Sequence, residues 1–174
     1  MSLRPCHFRG NKKYFHLILA REVSAFSKEA DWLESQKILI EMQKIFSVEI
    51  QSYVMMDSHQ HLLLATDRGN ENYFSEAVQL RLDPSDLETI RCEQVRTLSQ
   101  YLNTYKYIYR NPLEAGLCAA VEKYPYSSIY ALLGKSKMPL EVCDQLGLIQ
   151  NPYHILSWLN SEENFKYSKM SWLD

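Results

Sequence analysis

Tyr53-Val54-Met55-Met56-Asp57-Ser58-His59-Gln60-His61-Leu62-Leu63-Leu64 sets two apolar runs either side of Asp57-Ser58. Residues 48–56 and 61–66 read as strands, because Val, Ile, Tyr and Leu suit a pleated, buried surface. Asp and Ser bond readily to nearby backbone, which favours a tight turn, so the stretch predicts a β-hairpin. Side chains alternate across a strand, so His59 and His61 fall on one face, adjacent along it. Two imidazoles so placed can approach one cation, and a mixed nitrogen and oxygen site with open positions suits Mn²⁺ or, less readily, Mg²⁺. The pattern equally describes two half-buried histidines bonded to neighbours.

Working outward, residues 14–20 form a short aromatic and apolar run that reads as a buried strand. Beyond Ser27, a candidate N-cap, Trp32, Leu33, Ile38, Leu39, Met42 and Ile45 recur mostly at helical spacing and predict a helix over 28–46. Asp67-Arg68-Gly69-Asn70 closes the hairpin, and residues 73–80 suit a helix. Asp83-Pro84-Ser85-Asp86 then interrupts before what reads as another helical stretch. A helix over 99–110 is expected to stop at Asn111-Pro112, since the residue before proline is pushed out of the α region. Residues 115–121 suit a fourth strand, and two apolar segments follow position 138, broken by Asn151-Pro152. The order β-α-β-β-α-β followed by helices predicts an α+β fold, a ferredoxin-like antiparallel sheet with extra C-terminal helices.

At 174 residues, with 46% hydrophobic, 23% charged and 12% aromatic side chains, the chain is expected to form one domain with a real core. It has no apolar run of 18 residues and no apolar segment at its start, so no membrane association, no secretory signal and a cytoplasmic location are expected. Cys6, Cys92, Cys118 and Cys143 lack metal-binding spacing and read as buried thiols. With 19 basic and 21 acidic residues the net charge is −2, so any nucleic-acid affinity must be local. Arg4, Arg9, Lys12, Lys13 and Arg21 share the first 21 residues with no acid, the one place where phosphate affinity could concentrate. Residues 71–100 are the reverse, with six acids against three arginines.

At about 100° per residue, Tyr101, Tyr105 and Tyr109 share one side of their helix and read as core. Tyr107 lies on the other side, with Asn103 and Asn111 one turn away and Thr104 and Arg110 at three-residue spacing. Asn111 can offer a carbonyl oxygen to whatever Tyr107 faces, and Arg110 can hold a phosphate oxygen. A plain exposed tyrosine fits the same pattern.

Three motifs in order, residues 53–64, Tyr107-Ile108-Tyr109-Arg110-Asn111-Pro112-Leu113-Glu114-Ala115-Gly116-Leu117 and Tyr124-Pro125-Tyr126-Ser127-Ser128, resemble the successive signatures of the IS200-like single-tyrosine transposases, most nearly the REP-associated branch. The resemblance covers roughly residues 14–134. It implies an HUH nuclease domain over 1–134 and a C-terminal helical extension over 135–174 packed on it. By position, His59 and His61 match the metal-binding histidines, Tyr107 the nucleophile and Asn111 the third ligand. The implied enzyme is a metal-dependent transposase that cleaves and rejoins single-stranded or hairpin DNA through a 5′-phosphotyrosine. Its cofactor would be Mg²⁺ or Mn²⁺, and a homodimer is compatible with the resemblance. A free phenol titrates near ~10, so a cation that draws charge from the phosphate is chemically apt. Hairpin recognition is expected to draw on Arg4, Arg9, Lys12, Lys13 and Arg110.

The chain departs from the family at two places. Gln60 stands where these enzymes usually carry a hydrophobic residue, which predicts a wet opposite face. The aromatic and basic Gly-x-Phe-x-x-Arg-Tyr-like segment expected before the tyrosine helix is missing, and the acidic 71–100 segment stands in its place. An alternative is therefore a catalytically retired relative that binds structured nucleic acid without cutting. A small phosphoesterase resting on the histidine pair alone is a third class.

Overall fold

The computed structural model describes residues 12–21, 29–82, 87–135, 138 and 140–162; Arg4, Cys6, Arg9 and the cap expected at Ser27 lie outside them. Strand β1 (Lys13–Arg21), helix α1 (Glu29–Phe46), strands β2 (Glu49–Met55) and β3 (His59–Thr66), helix α2 (Glu71–Leu82) and strand β4 (Leu87–Val95) follow in the order β-α-β-β-α-β. The strands pair antiparallel throughout in the spatial order β2-β3-β1-β4. Helices α3 (Leu98–Glu114), α4 (Ser128–Leu132) and α5 (Pro152–Asn160) come after the sheet is complete. This is the ferredoxin-like α+β arrangement expected from the sequence, including the Asp57-Ser58 turn, where Met56 N–H bonds to the His59 carbonyl at 2.8 Å.

Two of its parts differ from the sequence reading. The second connecting helix is α2 and the fourth strand is β4, where a helical stretch was expected; residues 115–121 contain no strand. β4 lies at the sheet edge, paired on one side only, and its sequence Leu-Glu-Thr-Ile-Arg-Cys-Glu-Gln-Val mixes charge into the strand. Charge on an edge strand discourages pairing with other chains and weakens the apolar signal. The segment 71–100 thus supplies a complete helix and strand of the scaffold.

The second difference concerns Asn111-Pro112, which does not end α3. Proline so near the C-terminus sacrifices a single N–H, and the helix runs one turn further to Gly116 at φ 71°. There Leu117 N–H bonds to the Pro112 carbonyl at 2.9 Å and Gly116 N–H to the Leu113 carbonyl at 3.0 Å. This pair of bonds is a Schellman stop, which needs a left-handed residue and so favours glycine.

Period-two alternation divides the core. Phe15, Leu17, Leu19, Leu62 and Leu64 point to the face covered by α1 and α2, where they meet Trp32, Leu39, Phe74 and Val78. Tyr14, Leu63 and Ala65 point to the other face, under α3 and α5, where they meet Tyr101, Tyr105, Ile108, Tyr109 and Ile155. Tyr101, Tyr105 and Tyr109 are each about 1% exposed, as the helical spacing predicts. Gln60 is fully buried on the α1 side, so that face is not wet. Its carbonyl oxygen accepts from Ser35 Oγ at 2.8 Å and from Tyr53 Oη at 2.9 Å, which offsets burial of that half of the amide, while its Nε2 is buried with no partner. Cys92, Cys118 and Cys143 are free and half-buried rather than buried.

Candidate active site

The register of β1 on β3 builds the site. Ile18 pairs with His61 and Ala20 with His59, so His16 is the diagonal neighbour of His61 on the same face. Sequence reading singles out His59 and His61 and misses His16. Alternation from Tyr14 puts His16 on the Tyr14 face, but its nearness to His61 needs the strand register.

The three imidazoles form a contiguous group. His16 and His61 stack with ring centroids 5.3 Å apart and planes at 25°, and His16 Nε2 lies 3.1 Å from His61 Nδ1. His59 meets His61 edge-on at 4.7 Å, and its Nδ1 lies 2.9 Å from Ser58 Oγ. Tyr107 descends from α3 with its ring edge-on to both His61, at 5.5 Å, and His16, at 5.8 Å. It is 45% exposed, unlike the core tyrosines of the same helix. His16, Tyr107, Asn103 and Thr104 line an open pocket of about 350 Å³ together with Ile18 and Glu93.

Burial governs the electrostatics. Desolvation, with lesser contributions from His16 and His59, pushes His61 down to about 3. Desolvation also lowers His16 to about 4, with Glu93 acting weakly in the opposite sense. His59, less enclosed, is lowered by the same cause. All three rings are therefore neutral near pH 7, the state in which imidazole ligates metals. His61 Nε2 is buried and has no hydrogen-bond partner. Two neutral imidazoles with such an orphaned ring nitrogen fit a divalent cation, although among the described residues no group of three or more His, Cys, Asp and Glu converges on one point. Any further ligand would have to be an amide, a phenol or an oxygen of the substrate.

The other residues singled out by the sequence are distributed unevenly. Asn111 lies one turn from Tyr107, and its Nδ2 donates to the Tyr107 carbonyl at 3.1 Å. The Arg110 guanidinium is mostly covered; it donates to Glu114 at 3.0 Å and to the carbonyls of Leu159, at 3.3 Å, and Ser161, at 2.6 Å. Lys106, also buried, donates to Ser161 Oγ at 2.9 Å and lies over the Trp158 ring. Both cations sit at the C-terminal end of α5, where helix carbonyls carry partial negative charge. Lys13, paired with Thr66, lies five residues along the sheet from His61, roughly 17 Å away, and on the opposite face by alternation. Lys12 pairs with Glu49. Tyr124 is core and donates to the Met55 carbonyl at 2.8 Å. The third motif works structurally as well: Ser128 Oγ accepts from Tyr53 N–H at 2.9 Å and lies 2.8 Å from Tyr109 Oη.

The described residues thus form a four-stranded ferredoxin-like sheet with a helix holding a half-exposed tyrosine over a histidine pair. Among solved structures the chain has the fold of a REP-associated tyrosine transposase bound to a REP hairpin, with a TM-score of 0.62, 15% identity, and 82% of this chain and 92% of that one covered. A protein from Deinococcus radiodurans described as a transposase is also similar, with a TM-score of 0.41 and 20% identity over 56% of this chain and 88% of that one. No protein-family model and no curated protein sequence matches the chain. Among the described residues no helix is long and apolar enough to cross a membrane.

Proposed function

We propose that the chain is a single-tyrosine DNA strand transferase acting on single-stranded or hairpin DNA, with Tyr107 as nucleophile. The observation that carries this reading is the seating of the half-exposed Tyr107 ring edge-on to His61 and His16 on the sheet face beneath α3. The fold shared with a tyrosine transposase supports it. Tyr107 Oη attacks a backbone phosphorus and loses its proton, a 5′-phosphotyrosine forms, the bond to the 3′ oxygen breaks, and the 3′ end leaves as a hydroxyl. Attack by a second 3′-hydroxyl reverses these bonds on a new strand, without ATP. His59 and His61 would hold Mg²⁺ or Mn²⁺ with Asn111, and the cation would supply charge stabilisation on the phosphate oxygens. Arg4, Arg9, Lys12 and Lys13 are the candidates for backbone phosphates of the hairpin. Arg110 joins them only by exchanging its α5 carbonyls for a phosphate oxygen.

A second reading is a relative that binds structured nucleic acid without cutting it. Glu93 favours it, because a carboxylate in the Tyr107 pocket opposes the passage of a phosphate. The two separate in a cleavage assay with Mn²⁺ and a panel of end-labelled hairpin oligonucleotides from the flanks of the gene. Strand cleavage by the wild type that is lost in Tyr107→Phe and in His61→Ala is the expected result. Salt-sensitive binding with no cleavage across the panel would select the second reading. Turnover of small phosphodiesters that survives Tyr107→Phe would overturn both.

A further inference from the structure

The contact between His16 Nε2 and His61 Nδ1, 3.1 Å long between near-parallel rings, holds one proton, which either nitrogen can own. If His16 Nε2 carries it, His61 must keep its own proton on Nε2, a buried N–H with no acceptor. Such orphaned donors are rarer in proteins than under-used acceptors. If His61 Nδ1 carries the proton and donates, its Nε2 presents a bare lone pair instead. His59 repeats the pattern, with Nδ1 beside Ser58 Oγ. In both histidines Nδ1 is then used by the protein and Nε2 is left for a ligand.

We infer that His16 is a positioning residue: it accepts the Nδ1 proton of His61, fixing the tautomer and ring angle that turn Nε2 into a ligand for a divalent cation. This rests on the metal reading proposed above and adds to it a group outside the proposed ligand set. The register makes the role possible, since β1 is hydrogen-bonded to β3 along its length and His16 is the diagonal neighbour of His61. The near-parallel ring planes lock the imidazole orientation, and Tyr107, edge-on to both rings, closes the cluster from above. Partners outside the ligand set that orient a metal-bound histidine commonly matter about 10- to 100-fold in affinity.

The test has two parts. Long-range proton–nitrogen spectra of the metal-free wild type report the tautomer directly; His61 with its proton on Nδ1 is expected, and a proton on Nε2 overturns the proposal. Mn²⁺ affinity is then measured for the wild type, His59→Ala, His16→Phe and His16→Gln, with thermal melting as the folding control. His16→Phe is expected to weaken Mn²⁺ binding about 10- to 100-fold, and His16→Gln, whose amide oxygen can accept the same proton, to recover most of it. Wild-type binding that needs His59 but is unchanged in His16→Phe overturns the positioning role alone. A wild type that takes up no Mn²⁺ overturns the metal reading and this role with it.

Discussion

His61 and His16 are far less costly to bury while they stay neutral. Burial holds them at about 3 and about 4, against 6.5 for an exposed imidazole. Below pH 6.5 the unfolded chain takes up protons that the native state refuses, so stability falls with pH from about 6.5 towards 4. The unfolded rings are half charged at 6.5, and about one pH unit higher neither ring is charged in either state and the dependence vanishes. The denaturant midpoint of the metal-free protein is expected to decline through this window, and to decline less steeply in His61→Phe. Equal slopes for the two proteins between pH 6.5 and 4.5 would contradict a buried neutral His61. Gln60 shows the same rule for an uncharged group: its burial is tolerated because Ser35 and Tyr53 reach its carbonyl oxygen. Tyr53 lies within the histidine motif, but nothing local to it announces Ser35, which comes from α1, 25 positions away.

Among the elements, β1 and the β2–β3 hairpin are legible as short apolar runs bounded by turn residues, and α1 and the tyrosine face of α3 by their helical period. β4 is not, because Glu88, Arg91 and Glu93 interrupt its apolar residues, and only one of its edges is paired. The end of α3 is misread for a related reason: a proline signals a break, but its cost so close to a helix end is one hydrogen bond, and Gly116 is the actual stop. His16 marks the limit of periodicity, since alternation assigns its face while only strand register assigns its neighbour. Ser128 ties three elements together, receiving the β2 N–H of Tyr53 and pairing with Tyr109 of α3 from the start of α4. Ser128→Ala strands two buried polar groups and is expected to cost about 1–3 kcal/mol in chemical unfolding. A loss below about 0.5 kcal/mol would mean that these groups find other partners.

Over the whole molecule, net charge is −2, and Arg91, in the cross-strand row Arg91–Ile18–His61, is a described basic residue on the face of the site. Lys12 and Lys13 sit at the far end of β1, and Arg110 and Lys106 hold the end of α5. A hairpin that reaches both Tyr107 and the start of β1 must therefore pass around the sheet end. Replacing Lys12 and Lys13 by Ala is expected to lower the salt dependence of DNA binding by about two in log–log slope, leaving the cleavage rate at saturating DNA unchanged. An unaltered slope would remove both lysines from the interface. Of the twelve tyrosines, Tyr107 alone stands over the histidine cluster among those described. The decisive measurement is therefore proteolytic mapping by mass spectrometry of protein incubated with Mn²⁺ and hairpin DNA. A nucleotide linked through a 5′-phosphate to Tyr107 is expected; an adduct on another tyrosine, or bound DNA with no adduct at all, would contradict the strand-transferase reading.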